Sequence, residues 1–118
     1  MGQPFHLVSA ASTNKTLVRK KGALITSWSC VNKAATLSTV QLYDAAADTD
    51  VTVGTTPPSY SIVVPGNATA NMGDGNNASL KDPMQFSLGL VIATISGMQD
   101  AGNTAVGAGD LSINMVIS

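Results

Sequence analysis

From Asp110 onward the chain reads DLSINMVIS, and every second residue is apolar. Leu111, Ile113, Met115 and Ile117 fall on one side of an extended chain, while Ser112, Asn114 and Ser118 lie mostly on the other. Side chains along a strand alternate faces with a period of two, whereas a helix needs apolar residues three and four apart. The same beat recurs in MQFSLGLVIATI, where Phe86, Leu88, Leu90 and Ile92 share a face. The opposite face, Gly89, Val91, Ala93 and Ile95, is apolar too, which predicts a central strand covered on both sides. Tyr60, Ile62 and Val64 make a third stripe, closed by Pro65-Gly66. No helical period appears. A chain patterned this way must build sheets.

Further strands are expected in ALITSWSCV and ATLSTVQLYD, joined at hairpin length by Asn32-Lys33-Ala34. KTLVRKKGA is a shorter candidate that turns at Lys20-Lys21-Gly22. PFHLVSA reads as an edge strand, since Pro4 has no N–H for a ladder. The predicted fold is therefore all-β: a single antiparallel β-sandwich or jelly-roll-like barrel of about 7–8 strands. Residues 1–12 form an N-terminal arm or edge strand, and residues 13–118 form the sandwich domain. The polar stretch from Gly66 to Pro83 is expected to be a long loop with room for a short strand. The expected core contains Trp28, Val40, Leu42, Ile62, Leu88, Leu90, Ile92, Leu111, Ile113 and Met115.

Composition supports the class and removes several functions. The chain has 118 residues, 11% of them charged, and all seven acids are Asp. Glu and Lys fill exposed helix faces, whereas Thr and Val suit strands and Gly, Asn and Asp suit turns. A net charge of −1 offers no field for nucleic acid or anionic lipid. The start MGQPFHLVSAAS has neither a basic segment nor a long apolar run, so no secretory signal is expected. FSLGLVIATI is much shorter than the ~20 residues of a spanning helix. A surface rich in Ser, Thr, Asn, Gly and Ala suits a protein packed against neighbours.

Candidate chemistry is sparse. Cys30, the one cysteine, lies in a strand-like run and reads as a small buried hydrophobe. His6, the one histidine, alternates with Phe5 and Leu7 and reads as an edge-strand surface residue. A zinc site needs three or four ligands, and a Ser-His-Asp triad would have to use His6. Neither catalytic residues nor a cofactor are expected. Asp48, Asp50 and Asp74, with Asn76, are calcium candidates by ligand type. Yet they match no spaced acidic loop, and such residues also cap turns, so no metal is expected. Arg19, Lys20 and Lys21 make a basic tip that could meet an acidic partner surface. Pro4, Phe5, Leu7 and Val8 are the apolar anchors expected to contact a neighbour if the arm adds itself to a sheet edge. Of the aromatic residues, Trp28, Tyr43, Tyr60 and Phe86 fit the core.

The stretch STVQLYDAAADTDVTVGTTPPSYSIVVP carries a resemblance. It is similar to small structural proteins of tailed bacteriophages in Gln41, Leu42, Tyr43 and Asp44, then Val53, Gly54, Thr55, Pro57 and Pro58, and finally Ile62 and Pro65. The final third, from MQFSLGLV to NMVIS, and the opening VSAASTNKTLVRKKGALITSW resemble the same proteins, so the likeness covers most of the chain. The resemblance implies a capsid decoration (cement) protein without enzymatic activity, located in the virion on the outer surface of the head. Its partner would be the major capsid protein, and it would form a homo-oligomer, with a trimer favoured. No nucleic acid or membrane contact is implied. The alternative is a carbohydrate-binding or adhesin-type module of a tail fibre or baseplate.

Overall fold

The structure, a computed structural model, describes residues 2–72, 83–97 and 102–118. It contains two antiparallel sheets built from β1 (Gln3–Val8), β2 (Thr16–Arg19), β3 (Ala23–Asn32), β4 (Ser38–Asp44), β5 (Tyr60–Val64), β6 (Ala68–Met72), β7 (Met84–Phe86), β8 (Leu90–Ser96) and β9 (Leu111–Ile117). One sheet has the order β1-β9-β3-β6, with β7 pairing β3 beyond the end of β6; the other has the order β2-β8-β4-β5.

The pairings are nested. β1 pairs β9, β2 pairs β8, β3 pairs β6 and β4 pairs β5, as if the chain were doubled back at its middle and rolled up. Eight strands in this order, four to a sheet, are the jelly-roll arrangement of a sandwich. β7 is an addition to it. The chain crosses between sheets at nearly every connection, and this corrects two expectations. Asn32-Lys33-Ala34 does not close a hairpin: β3 and β4 lie in different sheets. Buried Asn32 holds this arch, its Nδ2 donating to the carbonyls of Thr36 and Val64 at 3.0 and 3.2 Å. The Lys20-Lys21-Gly22 turn likewise arches from β2 in one sheet to β3 in the other.

The strand expected from Met84 to Ile95 is two strands. It breaks at Ser87-Leu88-Gly89, so Phe86 serves one sheet and Leu90 the other. Leu88, expected in the core, is 62% exposed. The break is built: Asp44 Oδ1 accepts the N–H of Leu88 at 2.8 Å. A Cβ on Gly89 would sit 2.5 Å from the Ala45 carbonyl oxygen and 2.6 Å from that of Arg19. Only glycine lets three chain segments meet there. Tyr60 also departs from expectation, at 44% exposed, as the first residue of the edge strand β5.

Between the sheets lie Ile25, Trp28, Cys30, Val40, Leu42, Ile62, Val64, Phe86, Leu90, Ile92, Leu111, Ile113, Met115 and Ile117. Burying each large aliphatic side chain contributes about 1.5–3 kcal/mol. A second cluster sits on the outer side of β4 and β8, where Tyr43, Val91 and Ala93 are covered by Val51, with Val53 packed against them. Val51 and Val53 belong to the acid-bearing loop after β4, which folds back over its own sheet. Lys15 Nζ fastens it by donating to the Val51 carbonyl at 2.8 Å. β8 is thereby buried from Leu90 to Ile95, covered on both sides as its sequence predicts.

Candidate functional site

Because β4 and β8 are roofed by their own loop, the outer side of the other sheet is the broad face that no described segment covers. Its residues follow from the register. Pro4, Val116 and Ser27 form one outward row, and His6, Asn114, Ser29 and Asn71 form the next. Val8, Ser112, Val31 and Thr69 form the third. The intervening positions, including Phe5, Met115 and Trp28, carry the inward phase. Every outward residue is exposed or half-buried, and none is Asp, Glu, Lys or Arg. A register shift between Ile25 and Ser27 bends β3 beneath this face. The result is a groove of about 480 Å³ lined by Pro4, His6, Ser27, Ser29, Asn71, Asn114 and Val116 together with Phe5, Trp28 and Met115.

His6 is exposed, and its Nδ1 lies 2.8 Å from Asn114 Oδ1 across the β1–β9 pair. An amide oxygen can only accept, so in this contact the ring nitrogen donates. The row therefore offers hydroxyl, amide and imidazole groups.

The residues singled out in the sequence scatter around this face. Pro4 and Val8 lie on it. Phe5 and Leu7 point the other way and pack against this chain's own core. Residues 3–8 are thus the edge strand of their own sheet, and not a free arm. Arg19 is half-buried at the end of β2 and joins Gln3, Pro4, Phe5, Val18 and Ile117 around a cleft of about 230 Å³ where the two sheets open. Lys20 and Lys21 are exposed on the arch. Asp48 and Asp50 sit on a single 3-10 turn, exposed to solvent. Asp74 and Asn76 lie outside the described residues. Among the described residues no three His, Cys, Asp or Glu side chains come together as a cation site would require. Cys30 is buried, and desolvation pushes its thiol up to about 11.

The other described acids, Asp44 and Asp110, have structural duties. Asp44 ties the β7–β8 corner, and Asp110 Oδ2 accepts the N–H of Gly107 at 3.0 Å ahead of β9. The opening motif of the resemblance behaves the same way. Gln41 and Tyr43 are buried and bonded to each other, the Tyr43 hydroxyl donating to Gln41 Oε1 at 2.7 Å. Sequence reasoning missed the row Asn114, Ser29 and Asn71. Its signal was available, since the outward phase of three strands lacks charge, but the partners across the sheet were not.

These features define an antiparallel jelly-roll sandwich with one roofed face and one that the described residues leave open. Compared with known proteins, the chain matches no family model, no curated protein and no solved structure.

Proposed function

We propose that this protein is a non-enzymatic virion component, a decoration protein that binds the outside of a phage head and bridges subunits of the major capsid protein. The observation that carries the reading is the two-sidedness of the plate: among the described residues, one broad face is wrapped by the chain's own loop, and the other is an open sheet whose outward rows carry no Asp, Glu, Lys or Arg. Reaction centres gather titratable groups with perturbed proton affinities in a concave pocket. Among the described outward residues of this face His6 is the one titratable side chain, and it bonds an amide. Depletion of charge is instead what the centre of a protein–protein interface shows. Jelly rolls occur among viral capsid and lectin domains, an analogy of fold that weighs less than the face itself.

The mechanism is linkage. A protein that binds the assembled shell and not its separate subunits stabilises the shell by mass action. The test mixes the purified chain with undecorated heads and, separately, with tails, and pellets each. Co-sedimentation with heads and a higher rupture temperature are expected. Binding to tails alone, or to neither, would overturn the reading.

One observation favours a second reading, a saccharide-binding module of a tail fibre. The 480 Å³ groove presents His6, Ser29, Asn71 and Asn114 to a hydroxyl-rich ligand. Retention on host polysaccharide that is lost in Asn71→Ala would support it.

A further inference from the structure

We propose that the outward face of β1, β9, β3 and β6 is a self-association surface on which a second copy of this chain packs about a two-fold axis. The inference rests on reading this face as a protein contact surface, and it names the occupant.

In a two-fold contact the same patch meets itself, so a residue near the axis faces its own copy. Any charge there would oppose a like charge. The three outward rows contain no Asp, Glu, Lys or Arg. Ser27, Ser29, Asn71 and Asn114 can each both donate and accept, so the row finds partners in itself when turned over. Apolar surface flanks it, from Pro4 and Val116 on one side and Val8 and Val31 on the other.

Shape agrees. The molecule is a plate of 34 × 33 × 19 Å, so its broad faces are its largest surfaces. The four strands, β1 with 6 residues, β9 with 7, β3 with 10 and β6 with 5, lie ~4.8 Å apart at ~3.3 Å per residue and give a flat footprint of roughly 440 Å² before side-chain relief. That flat area is a little over half of the ~800 Å² of accessible surface that each partner buries in an ordinary stable interface, and the relief of the side chains supplies the rest. A twisted sheet is concave along one diagonal and convex along the other. Two copies crossed near a right angle therefore seat ridge into groove, the orthogonal mode of sheet packing. The opposite broad face is excluded because Val51 and Val53 already roof it. Such a pair occupies the uncharged face, so contact with the shell falls to the remaining surface, which includes the exposed Lys20-Lys21 arch. It also differs from the three-fold assembly that the phage resemblance implies, since a three-fold axis cannot bring one patch onto itself.

The experiment is sedimentation equilibrium of the full chain at graded concentrations, with circular dichroism as the control for folding. The wild type is expected to reach twice the monomer mass. Asn114→Lys and Asn114→Glu, each placing like charges across the axis, should each weaken the pair at least tenfold, and mixing the two should restore it. Lys20→Glu, on the arch, should change nothing. A monomeric wild type, a three-fold mass that survives Asn114→Lys, or no rescue on mixing would overturn the inference. Head binding separates the two proposals. A chain that decorates heads but stays monomeric refutes the pair alone, and a dimer that ignores heads refutes the decoration reading alone.

Discussion

Cys30 lies between the sheets at 1% exposure, and burial raises its thiol from an ordinary 9.0 to about 11. The folded chain thus holds this proton more tightly than the unfolded chain does. Below 9.0 both states keep it, and the contribution to stability is fully present. Between 9.0 and about 11 the unfolded chain ionises first, so stability falls as pH rises. Thermal melts across that window are expected to show a decline that Cys30→Ala reduces. A thiol reagent should label the native protein far more slowly than the denatured one, and equal rates would contradict the burial. Leu88 and Leu90 make a second residue-scale contrast. They share a phase in the sequence, yet one is 62% exposed and the other 0%. Leu90→Ala should cost ~2–5 kcal/mol in urea unfolding, as a buried Leu truncation does. Leu88→Ala should stay within about 0.5 kcal/mol, as surface changes do.

At the scale of elements, the loop after β4 acts as a roof. Val51 is 2% exposed, and its carbonyl is held by Lys15. Val51→Asp would put a charge against Tyr43 and Val91. Limited proteolysis should then cut between Ala45 and Pro58, where the wild type resists; equal resistance would mean the loop is not pinned there. Strand phases were legible beforehand because alternation is written locally. Leu111, Ile113 and Met115 fell inside as expected, as did Ile62, Leu90 and Ile92. The break at Leu88 was not legible, because it depends on Asp44 and on the carbonyls of Ala45 and Arg19, which reach Gly89 only in the folded chain. The sheet-crossing arches were hidden for the same reason. A short polar connection looks alike whether it joins neighbours in one sheet or spans two, and only the pairing of distant strands decides.

For the molecule as a whole, the described carboxylates are single or engaged in turns, so removing divalent cations should leave the melting temperature unchanged. A drop of several degrees with a chelator would implicate Asp48, Asp50 or Asp74 after all. The bare face was half legible. Its uncharged phase could be read strand by strand, but the row His6, Asn114, Ser29 and Asn71 exists only because β9 enters between β1 and β3. That nesting also governs time. During synthesis β1 leaves the ribosome first, yet its one ladder partner, β9, is made last. β4 and β5 can pair as soon as both emerge, and closure can then spread outward along the chain toward both ends. Each outer pair closes a loop already shortened by the pair inside it, which limits the entropy cost of such distant contacts. A nascent chain stalled before Leu111 would leave β1 and β3 flanking an empty slot, with the apolar side of β3 open to any strand that can fill it.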